Sequence, residues 1–440
     1  MFPFDLVQRL YTIAFPPTAS KNEDAIRIGL LGASKIAPVA VVNPAKSHPD
    51  VIVAAVAARD FDRAKKYAQD YGIPIVHSSY QAMLDDPSID AIYVALPNGL
   101  HYEWTLRAIR AGKHVLLEKP SCSNAIEAKK LFTHPLVTAS NAPVLLEAFH
   151  YQFHPGWQTF LSEIRASPGA IQAVHALFHV PPGIINPGDI RFQYSLGGGC
   201  MMDVGTYPLS MVRQIVGRDK FLEPVEVKYR VHQPRKDGIV DEPQIDEATE
   251  AQYRVSDGAI DVRISGDFMT KGGLSSILPT SWSRRLPSPQ WPKATVTLAP
   301  VRVDAVSSSS PGSSEQSTSS GHFVQRTLIM WNPLIPTFYH RIDIVDQHTL
   351  REGERVTQSW TETEYKTAYN WPVGDPRAAV YRDWWTTYRC QLEEFVNRIK
   401  GRQGSGVWVD GVESVAQMET IDRTYEKAGL QPRPTSNVAI

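Results

Sequence analysis

The stretch "HVLLEKPSCSN", residues 114–124, ends a run of apolar residues on an acid, a base and a proline: Glu118, Lys119 and Pro120. A strand that only reaches the surface and turns needs none of the three. A strand end that carries chemistry has use for a carboxylate and an ammonium, the usual material of proton transfer. A second set stands far along the chain in "GGGCMMDVGTYPL", residues 197–209, where Asp203 and Tyr207 are four apart. On a helix that spacing puts both side chains on one face. Glycines 197–199 would open a loop ahead of it. The plain alternative is a loop and a buried helix with a hydrogen-bonded core aspartate. Other chemistries lack their residues. The three cysteines, Cys122, Cys200 and Cys390, form no CxxC or CxxH pair. A zinc site and a disulfide framework are therefore not expected, and a reducing, cytoplasmic setting fits. His150 and His154 are spaced i, i+4 in "FHYQFHP", but Pro155 constrains the segment and no third ligand is evident. Packing or pocket-lining roles are expected for them, and no metal. Arrangements suited to a nucleophilic serine or cysteine are absent.

These residues need a scaffold. The chain has 440 residues, too many for one ordinary core, so two domains are expected. Apolar residues make up 42% and charged residues 21%, the balance of a soluble globular protein. A net charge of −1 with no basic stripe argues against a nucleic-acid partner. The longest apolar runs, 51–58 and 92–96, are far short of a membrane span.

Residues 1–24 form an N-terminal extension. Phe4, Leu6, Val7, Leu10, Tyr11 and Ile13 have the spacing of a short amphipathic helix docked on the body. Residues 25–150 alternate short apolar runs with helical patterns. "AIRIGLLG", "VIVAAVAA", "AIYVAL", "HVLLE" and "PVLLEAF" read as strands buried on both faces. The expected fold is an α/β Rossmann domain with a parallel, doubly wound sheet. Residues 151–440 form a second, α+β domain with a large, open, mostly antiparallel sheet, since "VEVKYRV", "TEAQYRV", "AIDVRISGDF", "FVQRTLIMW" and "FYHRIDIVD" alternate polar and apolar. Residues 269–322 interrupt it. This segment contains "SSSSPGSSEQSTSSG" and reads as a disordered insertion in a hairpin. Helical spacing returns over 382–430.

The first strand runs into "GLLGASKIAP". Gly32, Ser34 and Ala37 occupy the three glycine places of a dinucleotide-binding turn, with Lys35 and Ile36 between them. A helix opening here would offer unpaired N–H groups and a positive dipole end to a pyrophosphate. The second strand ends "AVAARD". Arg59 stands at its tip, where an NAD enzyme usually has an acid, and Arg63 follows one turn later. Guanidinium groups suit the extra phosphate of NADP, so NADP is favoured over NAD. The plain alternative is a solvated Arg59 paired with Asp60. Ligands of open α/β sheets bind beyond the carboxyl ends of the strands. Pro97, Asn98 and His101 in "LPNGLH" lie at one such end, and Glu118 and Lys119 at another.

Together "GLLGASKIA", "AVAARD", "LPNGLH", "AGKHVLLEKP", "LEAFHYQFHP" and "GGGCMMDVGTYPL" resemble the Gfo/Idh/MocA oxidoreductases in order and spacing. The later motifs look most like the branch of dimeric dihydrodiol dehydrogenase and the NADP-dependent D-xylose 1-dehydrogenases. The resemblance covers roughly 26–267 and 323–430. It implies that Lys119 hydrogen-bonds the reacting hydroxyl and also borders the cofactor, that Tyr207 is the acid/base, and that Asp203 orients substrate or base. It implies a cofactor lining of Asn98, His101 and Glu118, and a basic residue, Arg191, near the site. It further implies a cis bond before Pro120, and a homodimer formed through the C-terminal sheet. A free tyrosine titrates near about 10, and an adjacent ammonium lowers that, so a Tyr207–Lys119 pair would make a usable base. The implied activity is hydride transfer between NADP and a sugar such as a D-xylose-like aldose, or a cyclic trans-diol. Gln193, Tyr194 and His179 are candidates to face its hydroxyls. The alternatives are a tailoring oxidoreductase of specialised metabolism and a non-catalytic NADP-binding sensor of the same fold.

Overall fold

A computed structural model of the chain describes residues 3–186, 188–233, 242–255, 258, 260–270, 292–303 and 321–438. The first domain is built on six parallel strands. They are β1 (Ile26–Leu31), β2 (Val51–Ala57), β3 (Ile75–His77), β4 (Ala91–Val94), β5 (His114–Leu117) and β6 (Leu145–Glu147). Their order is β3-β2-β1-β4-β5-β6. The chain reverses its direction of travel between β1 and β4, and that switch point opens a crevice beyond the carboxyl ends. The strands are apolar throughout because helices cover both faces. Ile28, Leu30, Val56, Ile92 and Leu116 have no exposed surface. All six strands point the same way, so Gly32, Pro97, Glu118 and the segment after Glu147 come out on one edge.

The second domain carries β7 (Ile171–His179), β8 (Leu222–Val231), β9 (Asp246–Val255), β10 (Asp261–Asp267), β11 (Lys293–Leu298), β12 (Val301–Arg302), β13 (Gly321–Trp331), β14 (Arg341–Glu352) and β15 (Arg355–Lys366). The order is β15-β14-β13-β11-β7-β10-β9-β8, with β12 on β13. Every neighbouring pair is antiparallel except β7 with β10. One face is covered by the helices Thr206–Val216 and Gly411–Lys427. The expected α/β plus α+β architecture is therefore present.

Three expectations need correction. The stretch 269–322 is not one insertion. It contains β12 and also β11, which lies between β7 and β13 near the middle of the sheet. "KATVTL" alternates, and its Ala294, Val296 and Leu298 are fully buried. The serine-rich run, 307–321 in the sequence, falls almost wholly outside the described residues. The N-terminal helix forms over Pro3–Ala14, but Val7 and Tyr11 are 64% and 65% exposed. Buried Arg9 contacts the body, its guanidinium lying 3.5 Å from the centre of the Tyr369 ring. The helix expected from 382 begins at Thr387, where the Thr386 side chain caps the Arg389 N–H. Among the described residues no helix is long and apolar enough to cross a membrane. The three cysteines are buried and unpaired.

Candidate functional site

β5 delivers Glu118 and Lys119 to the crevice, and the Lys119–Pro120 bond is cis. Glu118 is held from behind by the Tyr93 hydroxyl of β4. The Lys119 ammonium donates to Asp203 Oδ1 at 2.7 Å and to the Asp203 carbonyl at 3.2 Å. On the other side Arg191 donates through Nε to Asp203 Oδ2, and through Nη1 to Asp189 Oδ1 at 2.9 Å. Asp203 is thus a carboxylate between two cations. Burial alone would raise its pKa, but Lys119 and Arg191 outweigh burial and hold it well below the usual carboxylate range. It is ionised at neutral pH.

Asp203 and Tyr207 come from different helices. Asp203 ends Cys200–Asp203, and Tyr207 lies in Thr206–Val216 after a break at Val204 and Gly205. The loop that opens the first helix is tied down from afar. Gly199 has φ +125°, and a Cβ there would run into Arg433, Asp246 and Tyr425. Arg433 donates to the Gly198 carbonyl and, at 2.8 Å, to Asp246 Oδ1, while Asp246 Oδ2 accepts the Met201 N–H at 2.7 Å.

The Tyr207–Lys119 pair takes a form the sequence did not foretell. The ammonium sits over the tyrosine ring, 4.7 Å from its centre, and its hydrogen bonds go to Asp203. The Tyr207 hydroxyl instead meets His150 Nε2 at 3.1 Å. Burial, with Tyr388, Glu118 and Asp203 nearby, raises the Tyr207 pKa well above its ordinary value. The net shift is upward and not the expected downward one, because burial opposes the phenolate and the ammonium's hydrogen bonds go to a carboxylate. His150 is the residue whose weight was underestimated. It follows β6 as Lys119 follows β5, so the strand-end rule applied once more would have found it. His150 lies in a short 3₁₀ turn, His154 caps the helix Pro155–Ala166, and no metal-binding cluster occurs among the described residues.

The other site residues divide. Asn98 donates to the Gly197 carbonyl at 2.9 Å and so joins the two domains beside the site. Pro97 opens the short turn that carries Asn98. His101 is turned inward, its ring nitrogens on the Leu96 and Pro120 carbonyls, so it braces two strand ends rather than lining the crevice. Arg191 belongs to the Asp203 cluster. Of the candidates for substrate hydroxyls, Tyr194 donates to the Pro432 carbonyl at 2.7 Å and His179 meets Ser265 Oγ at 2.7 Å.

The turn after β1 fits a phosphate-bearing dinucleotide. Gly32 has φ +100°, and a Cβ there would lie 3.1 Å from the Ala95 carbonyl. Ser34, Lys35 and Ile36 have no hydrogen-bond partner for their N–H groups among the described residues. A wide helical turn begins at Pro38, with Pro at N1 where no N–H is needed. The loop is braced from below, because Arg63 donates to the Ala33 carbonyl at 2.7 Å and Tyr67 to the Ser34 carbonyl at 3.0 Å. Arg63 is therefore a loop brace, while Lys35 and Arg59 stay exposed. Asp60 does not pair with Arg59. Its carboxylate caps the helix Phe61–Tyr71 by accepting from Asp62 and Arg63 N–H.

Residues 26–135 match the family model "Oxidoreductase family, NAD-binding Rossmann fold", and residues 167–277 match "GFO/IDH/MocA C-terminal domain". A trans-1,2-dihydrobenzene-1,2-diol dehydrogenase of Xenopus tropicalis is 30% identical over 284 residues, 62% of this chain and 79% of that protein. The chain therefore belongs to the Gfo/Idh/MocA family. A dTDP-3,4-didehydro-2,6-dideoxy-alpha-D-glucose 3-reductase of Actinomadura kijaniata is 36% identical over 50% of this chain. A D-xylose 1-dehydrogenase (NADP(+)) of Haloferax volcanii is 39% identical over 43% of it. These matches span 64% and 57% of the two relatives' lengths. A solved 3-ketoreductase from Actinomadura kijaniata, in complex with NADP and TDP-benzene, shares the fold at TM-score 0.62 and 22% identity, over 90% of this chain and 96% of that one.

Proposed function

We propose that the protein is an NADP-dependent oxidoreductase acting on a CH–OH group of a sugar or cyclic diol, with a D-xylose-like aldose the first substrate to try. The observation that carries this reading is the cluster of half-buried Lys119 and Asp203 with buried Tyr207 beside the carboxyl ends of β4 and β5. The bound nicotinamide would supply or receive the hydride. Gly32, Ser34, Lys35 and Ile36 would hold the pyrophosphate, and Arg59 the additional phosphate. Pro97, Asn98 and Glu118 border the same crevice. On this reading Asp203, kept ionised by Lys119 and Arg191, orients the ammonium toward the substrate oxygen. Tyr207 gives a proton to that oxygen in reduction and takes one in oxidation. The rings of Phe149, His150, Tyr151 and Phe178, at 5.6–6.3 Å from the Tyr207 ring, keep bulk water from the hydroxyl.

A second reading, reduction of a nucleotide-linked ketosugar, is supported by the 36% identity to the dideoxyglucose 3-reductase. Nicotinamide absorbance decides between them. Purified protein is mixed with NADP⁺ or NAD⁺ and pentoses, hexoses or cyclic diols, and separately with NADPH and nucleotide-linked ketosugars. NADP⁺ reduction with a pentose is the expected result. Oxidation of NADPH by ketosugars alone supports the second reading. Binding of NADP without turnover on any of them overturns both in favour of a sensor.

A further inference from the structure

Tyr207 lies in a place that resists its ionised form, yet an acid/base tyrosine has to pass through that form. Burial opposes the phenolate, and Glu118 and Asp203 add negative charge nearby. Lys119 lies over the ring face and not on the oxygen. The polar atom at the hydroxyl is His150 Nε2, 3.1 Å away. His150 is buried, and its other nitrogen, Nδ1, is 2.7 Å from Thr387 Oγ1. Its ring stacks on Tyr388 with centroids 4.0 Å apart. Imidazole, threonine and tyrosine thus form a chain of two hydrogen bonds behind the reacting hydroxyl.

A neutral imidazole has one donor and one acceptor nitrogen, so the chain has two arrangements. In one, Nδ1–H donates to Thr387 and the bare Nε2 takes the Tyr207 proton, turning that proton away from the cleft. In the other, Thr387 donates to Nδ1 and Nε2–H donates to Tyr207 Oη. Only the second leaves the tyrosine proton pointing at substrate and places a donor on the oxygen where negative charge develops.

We propose that His150 is a positioning residue for Tyr207: a neutral Nε2–H donor, oriented by the Thr387 hydroxyl, that stabilises the tyrosinate formed when Tyr207 exchanges a proton with substrate. The O–H bond of Tyr207 breaks as the O–H bond of the substrate forms in reduction, and the reverse holds in oxidation; the imidazole keeps its own proton throughout. Burial and then Lys119 depress the His150 pKa to about 3, which suits a donor that stays neutral. The groups that face this pair are Lys119, Glu118, Asp203, Tyr151 and Tyr388. The proposal rests on the acid/base role given to Tyr207 above.

Two measurements test it. The first needs no substrate. In protein labelled with ¹⁵N-histidine, long-range ¹H–¹⁵N spectra, assigned with His150→Gln, report which ring nitrogen carries the proton at pH 7. A proton on Nε2 is expected, and a proton on Nδ1 overturns the proposal. The second is the pH profile of kcat for oxidation. His150→Phe should move the rising limb up by about one unit and cost about tenfold in kcat at a fixed pH on that limb. KM should be unchanged. His150→Gln, which can still donate near the Nε2 position, should restore most of both. Limb and kcat unchanged in folded His150→Phe overturn the proposal, as does a Gln variant no better than Phe. Turnover that survives Tyr207→Phe sinks the reading on which it rests as well. Failure confined to the His150 variants, with Tyr207→Phe inactive, sinks the proposal alone.

Discussion

The two halves of the site are built in opposite ways. The side proposed to hold the cofactor is local and open: Gly32, Ser34, Lys35 and Ile36 are nearly consecutive, and Lys35 and Arg59 are exposed. What it offers is largely backbone N–H groups, those of Ser34, Lys35 and Ile36, and its charged groups face solvent. The side proposed for proton transfer is assembled and largely closed. Lys119, His150, the pair Asp203 and Tyr207, and Thr387 come from four distant stretches, and the side chains of Lys119 and Asp203 are 10% and 20% exposed. Each of its polar groups is fixed by another. An open phosphate cradle can rely on solvent to satisfy its free groups before a ligand arrives. A buried acid/base cluster must satisfy them internally, since an unpaired buried charge costs several kcal/mol.

That contrast can be broken in three places. The largest effect is expected where the assembled half is anchored. Arg433 and Asp246 are an ion pair with no exposed surface, and the pair braces the loop leading to Asp203. Removing Arg433 leaves the Asp246 carboxylate buried without its counter-ion, held among the described residues only by neutral donors from Met201, Thr249 and Tyr425, so Arg433→Met should destabilise the chain by about 3–5 kcal/mol in denaturant unfolding. A loss below about 1 kcal/mol would mean that the C-terminal tail does not secure the site. Lys119→Met removes one of the two cations on Asp203. Turnover should fall by about a hundredfold or more, with cofactor affinity changed far less. Equal losses in both would show that the two halves are not separable. Arg59→Ala should act on the open half alone, raising the KM for NADP by about tenfold and leaving that for NAD unchanged. An equal effect on both cofactors would remove Arg59 from the phosphate site.

What a reader of the bare chain can recover follows the same division. The parallel order of β1 to β6, the turn at Gly32 and the strand ends at Pro97 and Glu118 are visible because apolar runs, helical spacing and small residues act over a few positions. Asp203 and Tyr207 were reachable by type and spacing, although the helix expected to carry both is broken between them. Missed altogether were β11, because it borders the serine-rich segment, and Thr387 and Arg433, which carry no local signal.

The amino-acid order therefore decided the dinucleotide-binding half nearly alone, since backbone turns and dipoles are properties of short segments. It also supplied every acid and base of the other half. Which of them meet was decided by the packed structure. Lys119 reaches Asp203 rather than the Tyr207 hydroxyl, and His150 takes the place beside that hydroxyl. Those choices depend on where residues 84 and 57 positions apart lie once both domains are folded, and on which buried charges must be neutralised there.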